Sequence, residues 1–262
     1  MVYLVICIVA LVVSGLTLFS GFGLGTLLMP AFAIFFPVEI AVALTAIVHL
    51  ANNIFKLGLV GRKADYKVVV KFAIPASIMA SVGAFLLNHF VHIQPIAEYT
   101  LGGRAFTITP VKLVIAFLIA GFAIFDLSRC FEKISFGPKY IPLGGALSGF
   151  FGGLSGQQGE LRAAFLIRSG LNKEAFIGTS VVSAVVVDVS RLFVYGVTFF
   201  SKNFAVLSDK GGIGVVIAAT LTAFLGSFIG SHLVKKVTMR NIQVIVSVLL
   251  LVLAFALSVG LV

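Results

Sequence analysis

The chain has no tryptophan, only two cysteines, and charge on 11% of its 262 residues. A soluble domain carries roughly 25% charged residues, so this chain has too little polar surface to stay in water. Residues 1–38 and 241–262 contain no Asp, Glu, Lys, Arg or His at all. Cys7 lies inside the first apolar run and Cys130 at the edge of a later one. That pair gives neither a disulfide framework nor a metal-ligand spacing, and no cofactor is expected. Period-two alternation in short segments is also missing, which excludes a transmembrane barrel. The N-terminus lacks the basic flank of a signal peptide, so the first apolar run reads as a helix of the mature chain.

What is present is 60% hydrophobic sequence, in recurring runs from end to end. Runs of about 20 apolar residues are long enough to span a bilayer. Ten segments stand out, over 2–20, 24–36, 38–58, 68–88, 110–129, 141–154, 158–170, 174–200, 211–234 and 241–261. The class is an all-α polytopic membrane protein whose first partner is the lipid bilayer. Segments 24–36 and 158–170 are too short to span comfortably and read as broken or re-entrant pieces. The formal net charge of +10 sits mostly between apolar segments, so it is a topology signal rather than a nucleic-acid surface. The sequence carries no signal for oligomeric state.

A shift of 134 positions aligns Ser14 with Ser148, Gly15 with Gly149, Gly25 with Gly159, Leu27 with Leu161, Ala41 with Ala175, Thr45 with Thr179 and Val48 with Val182. The segment boundaries coincide under the same shift. Residues 1–134 and 135–262 therefore read as two five-segment repeats within one integrated membrane domain. Loop charges orient them. Lys56, Arg62, Lys63, Lys67 and Lys71 face only Asp65 after the third segment, and Lys235, Lys236 and Arg240 follow the ninth. Their counterparts are weaker: Lys202 and Lys210 with Asp209, and Arg104 with Glu98, His89 and His92. Basic loops at non-equivalent places predict an inverted repeat, with both termini outside the cytoplasm. If the two short segments are re-entrant, the repeat becomes parallel instead.

Polar residues inside the apolar segments are the candidate site. Gly21, Gly23 and Gly25 form GFGLG, read either as close helix packing or as an unwound hinge whose free N–H groups meet an anion. Thr45, His49, Asn52 and Lys56 share one face of the third segment, with Asn53 beside it. They line a cavity or bond between helices, and Lys56 has the option of snorkelling to the surface. The stretch SGFFGGLSGQQGELRAAFLIRSG, residues 148–170, is the strongest signal. In it Gly156, Gln157, Gln158, Glu160 and Arg162 interrupt an apolar run, and a charge at the bilayer centre costs about 2.5–3.5 kcal/mol. Arg162 either pairs with Glu160 or Asp188 to hold helices together, or offers planar donors to an oxyanion beside the glutamine amides. Asp188 and Arg191 are three apart and can pair on one helix face, either as a structural ion pair near the outer surface or as a substrate contact. His49, Glu160 and Asp188 are the candidates for proton coupling.

The segments GFGLGTLLMP, VEIAVALTAIVHLANNIFK and GFFGGLSGQQGELRAAFLIRSGLNKEAFIGTS together resemble the TauE/SafE sulfite exporter family, the TSUP permeases. The family pattern is a Gly-rich segment, a Pro and an Ala-x-x-x-Thr-Ser helix in each half. It is carried here by Gly21, Gly23, Gly25, Pro30, Ala41 and Thr45, and again by Gly152, Gly153, Gly156, Gly159, Ala175, Thr179 and Ser180. Gln157 and Gln158 stand where the family has glycines, Ala164 where Pro30 has its counterpart, and Ala46 where a Ser is common. The resemblance implies a secondary transporter (permease) in a bacterial cytoplasmic membrane, moving a small sulfur-containing anion such as sulfite or an organosulfonate by alternating access. Export is the expected direction, since expelling one negative charge gains about 2.3 kcal/mol per 100 mV. The anion would meet Gly21, Gly23, Gly25, His49 and Asn53 from one half, and Gly156, Gln157, Gln158 and Arg162 from the other. The rival reading is an integral membrane enzyme acting on an anionic lipid head group, with Glu160 as acid and Arg162 as clamp. Against it, the sequence carries no metal cluster or nucleophile–base pair.

Overall fold

A computed structural model describes residues 1–17, 24–128, 136–167, 169–200, 211–233 and 239–261. Among these, ten α-helices follow the apolar segments closely. The first half contributes α1 (Val2–Thr17), α2 (Leu24–Ala33), α3 (Val38–Val60), α4 (Tyr66–Val91) and α5 (Pro110–Leu127). The second contributes α6 (Ile141–Ser155), α7 (Gly159–Leu166), α8 (Lys173–Tyr195), α9 (Gly212–Leu233) and α10 (Met239–Ser258). The two short segments are the two shortest of these helices. Four stretches, Val38–Lys63, Tyr66–Val91, Lys173–Thr198 and Gly212–Gly230, are long and apolar enough to cross a membrane. The surface is correspondingly inverted, with Ile78, Phe85, Phe117, Leu221, Val252 and Phe255 exposed while charged groups are buried inside.

Local chemistry sets the helix ends. Asp65 caps α4 by accepting from the Lys67 and Val68 N–H groups at 2.9 and 3.2 Å. Thr109 caps α5 and Asn172 caps α8 in the same way. Gly156 stops α6 in the left-handed region, at φ 84°, which glycine alone adopts without strain. The chain then restarts as α7 only three residues later, so two buried helix ends face each other around the Gln157–Gln158 pair.

Close backbone approach holds the bundle together. α4 lies along α6, and α1 lies along α9, each pair drawn from both halves of the chain. A Cβ added at Gly149 would sit 2.0 Å from the Ala76 carbonyl oxygen, and one at Gly153 would sit 2.0 Å from that of Ala80. Gly226 makes the same kind of approach to Leu11, where an added Cβ would sit 2.1 Å from the carbonyl oxygen. Small residues four apart are how helices pack where lipid removes the hydrophobic incentive. α3 and α8 run antiparallel, since His49 and Asn53 meet Asp188 while Val60 meets Gly178. α5 and α10 are also antiparallel: Gly260, just beyond α10, lies against Thr107, just before α5.

The stretch 89–109, which reads as a plain loop, contains an antiparallel hairpin, β1 (Ala97–Leu101) with β2 (Arg104–Ile108). Gly102 and Gly103, at φ 59° and 78°, make its turn. Tyr99 stacks on Phe106 and donates its hydroxyl to the Val259 carbonyl, which ties the hairpin to the end of α10. The sequence signal for it is the two-residue Gly102–Gly103 turn, which lies outside any long apolar run.

The glycine contacts make a sharp prediction. Gly149→Val should lower stability by at least about 1–3 kcal/mol, the usual cost of overpacking, because backbone rather than a flexible side chain stands in the way. Gly121→Ala, where an added Cβ meets nothing within 4 Å, should leave the melting temperature in detergent within a degree or two. Equal melting temperatures for the two variants would contradict this packing.

Candidate functional site

The site is a buried polar network where α3, α7 and α8 converge. Its centre is Asp188 on α8, fully buried. Arg191 Nε and Nη2 donate to Asp188 Oδ1 at 3.0 and 2.7 Å. Gln158 Nε2 donates to the same oxygen at 2.8 Å. On the other oxygen, His49 Nδ1 lies 2.6 Å away and Asn53 Nδ2 donates at 3.3 Å. An ionised carboxylate only accepts, so the His49 proton on this side sits on Nδ1. One carboxylate thus gathers donors from both halves of the chain.

The network extends through the break between α6 and α7. Arg162 Nη1 donates to Gln158 Oε1 at 3.0 Å, and Ser148 Oγ to the Gln158 carbonyl at 2.7 Å. Arg191 Nη1 donates to the Gly152 carbonyl at 2.9 Å, and the Tyr195 hydroxyl to that of Gly153. The Gly152 carbonyl also accepts the Gly156 N–H at 3.0 Å, so Arg191 adds a second donor to it, while Tyr195 meets one of the last carbonyls of α6. At the first turns of α2 and α7, Thr26 Oγ1 donates to Glu160 Oε1. An added Cβ on Gly25 would lie 3.0 Å from the Gly156 carbonyl oxygen.

Several expectations change in detail. Asp188 and Arg191 do pair, but deep in the protein rather than near an outer surface. Lys56 does not snorkel: it is 5% exposed, and its ammonium lies 3.2 Å from the Asn52 amide oxygen when that amide donates to Ser227 and Ala223. Asp188 bonds to His49 and Arg191, and Glu160 to Thr26. The four expected residues His49, Asn53, Gln158 and Arg162 are brought together, with Gln157 buried beside them. Gly25 and Gly156 flank the same junction. Gly21 and Gly23, and the proposed hinge they form, lie outside the described residues, as does Cys130. Thr26 was not among the expected residues. Its signal was available, since it stands 134 residues before Glu160, the shift that aligns the halves.

Some buried polar atoms here have no partner among the described residues. Gln157 is 1% exposed, and neither its amide nitrogen nor its oxygen has a hydrogen-bond partner among the described residues. Glu160 Oε2, Thr45 Oγ1, Ser180 Oγ and Ser183 Oγ are in the same condition. Each such atom costs about 1–3 kcal/mol when left unsatisfied, so the two on Gln157, next to Gln158 in the network, call for an explanation. No group of three or more His, Cys, Asp or Glu among the described residues is placed to hold a metal ion.

A multi-pass helical bundle with a charged, hydrogen-bonding interior and a broken helix at its centre is the architecture of a polytopic membrane protein. The family model described as sulfite exporter TauE/SafE matches residues 5–257, and the chain belongs to that family. The family is one of transporters and not of enzymes, so the head-group enzyme reading is set aside. No curated protein and no solved structure matches the chain.

The Asp188–Arg191 pair can be tested directly. Asp188→Asn leaves a buried guanidinium facing a neutral amide and should cost about 3–5 kcal/mol. Adding Arg191→Met should recover part of that loss, read as a rise in melting temperature of the double variant over Asp188→Asn. Strictly additive losses would mean that the two side chains do not depend on one another.

Proposed function

We propose that this protein is a secondary transporter that exports a small sulfur-containing anion, sulfite or an organosulfonate, by alternating access across the cytoplasmic membrane. The observation that carries the reading is Gln157. Its amide is buried with no hydrogen-bond partner among the described residues, one residue from Gln158 and five from Arg162. An oxyanion entering there gains neutral and charged donors at once. His49 and Asn53 from the first half complete the site, with Gly25 and Gly156 at the junction; Gly21 and Gly23 are proposed as further backbone donors to the anion. His49, Glu160 and Asp188 are the groups able to carry a coupled proton.

The transport cycle follows from an inverted repeat of residues 1–134 and 135–262, with the site at their interface. Helix directions support it. α3 and α8 hold the same place in the two halves and run antiparallel, as do α5 and α10. The cross-half pairs α4–α6 and α1–α9 exchange with one another under the same operation. Thr26 and Glu160, equivalent by the repeat shift, touch, as residues close to a two-fold axis do. In this arrangement all five helices of each half count as crossings, the turn at 61–65 and the segment at 235–240 face the cytoplasm, and both termini face outward.

Two measurements test the proposal. In proteoliposomes the purified protein should give saturable sulfite or sulfonate flux, and Arg162→Lys should weaken it about tenfold or more while leaving folding near normal, because lysine lacks the planar fork. Unchanged flux would remove Arg162 from the substrate site. Cysteines placed at Lys63 and Lys236 should be labelled from the same side of the membrane, and labelling from opposite sides would sink the inverted arrangement.

A further inference from the structure

α3 and α8 meet at two places along their length, and the two contacts are built differently. The inner one is the Asp188 network, where four side chains close on one buried carboxylate. The outer one lies at the end of α3, about 16 Å beyond His49 at 1.5 Å per residue. There the chain leaves α3 through a single 3-10 turn, Gly61–Lys63, and enters α4. The first turns of α8 rest against it. The Asp65 N–H donates to Thr179 Oγ1 at 3.0 Å. Gly178 admits the turn so closely that an added Cβ would sit 2.8 Å from both the Ala64 nitrogen and the Val60 carbonyl oxygen. Lys63 reaches Glu174 at 2.7 Å, with both side chains more than half exposed. Exposed ion pairs of this kind are weak and screened by salt, and a glycine against backbone leaves no side chain interlocked.

The repeat shift of 134 positions carries this contact to the other end of the α3–α8 seam, where the residues do not reproduce it. Glu174 maps to Ile40, Gly178 to Leu44 and Lys63 to Val197. Thr179 maps to Thr45, which is fully buried and whose hydroxyl has no hydrogen-bond partner among the described residues. One end of the seam is therefore held by a polar, releasable contact whose residue types the other end lacks. Between the two contacts α8 carries Ser180 and Ser183, both buried, with hydroxyl oxygens that have no partner among the described residues. We propose that the turn at 61–65 is the cytoplasmic gate of the transporter. Seated on Thr179, Gly178 and Glu174, it closes the seam; released, with the Asp188 network as the fixed point, it opens the anion site to the cytoplasm past Ser180 and Ser183. This rests on the reading of the protein as an alternating-access transporter with that turn inside, and adds to it the element that moves. The strengths of the parts fit their roles. Asp188 is held by buried, charge-assisted bonds, whereas the gate is held by one neutral hydrogen bond, one exposed ion pair and a bare backbone approach.

The test uses the purified protein in proteoliposomes, with Cys7 and Cys130 replaced by alanine and sulfite as the probe. In Lys63→Cys/Glu174→Cys, a short disulfide-forming bifunctional cross-linker should join the two positions and lower sulfite flux about tenfold or more, and dithiothreitol should restore it. The melting temperature should not fall on cross-linking, which separates a loss of motion from a loss of folding. Positions that do not cross-link, or cross-linked protein that transports at the uncross-linked rate, overturn the gate. A flux loss accompanied by a fall in melting temperature marks the contact as structural and overturns it too. Glu174→Lys, which sets like charges against each other at the contact, gives a second readout. In Ser183→Cys, a small charged thiosulfonate added from the Lys63 side should react about tenfold faster when Glu174→Lys is also present, and equal rates count against the gate. If the parent protein gives no saturable sulfite or sulfonate flux, the transport reading falls and the gate with it.

Discussion

The interior of this protein depends on one carboxylate. Asp188 is completely buried, and a bare charge in such a place would not be tolerated. It is tolerated because Arg191, Gln158, His49 and Asn53 all converge on it. Those four residues come from α3, α8 and the break before α7, so satisfying one charge fixes the relative position of three elements. Arg191 then carries the constraint onward to the open end of α6 through the Gly152 carbonyl. With Tyr195 meeting the Gly153 carbonyl, these bonds tie the last turn of α6 to α8 beside the break.

The permanence of that network contrasts with its surroundings. Gln157, immediately before Gln158, and one oxygen of Glu160 have no partner among the described residues. A protein able to satisfy Asp188 so completely had the means to satisfy these as well. Full pairing beside missing pairing reads as a rigid frame set next to a surface kept available. Such a division suits a transporter, which must hold its architecture through a cycle yet bind its cargo only transiently.

Much of this was legible in the sequence, because the bilayer leaves few choices. Apolar run length gave all ten helices to within a few residues, apart from the end of α1, where residues 18–23 are not described. The polar interruptions at His49, Asn53, Gln158, Arg162 and Asp188 pointed to one place. Burial was the harder part. A lysine four residues from a helix end and an aspartate paired at i, i+3 both look like surface features in one dimension. Only packing against other helices reveals that Lys56 and Arg191 are enclosed. The hairpin at 97–108 is hard to read for a different reason: its signal is a two-glycine turn between short strands, with no long apolar run. Thr26 was hidden by its small size and mild polarity, although the repeat shift pairs it with Glu160.

The pairing of α4 with α6, and of α1 with α9, has a historical consequence. On the reading of the two halves as repeats, neither half buries its own first helix: each lends it to the other, where glycines admit the neighbouring backbone. A single five-helix unit would expose that glycine-lined face and leave its fourth helix without a companion. If the repeat is inverted as proposed, an ancestral unit of this design would have worked as an antiparallel homodimer, inserting in both orientations. Fusion of two copies would have freed each to diverge, so that an arginine could be acquired at position 162 while its counterpart, Leu28, stayed apolar.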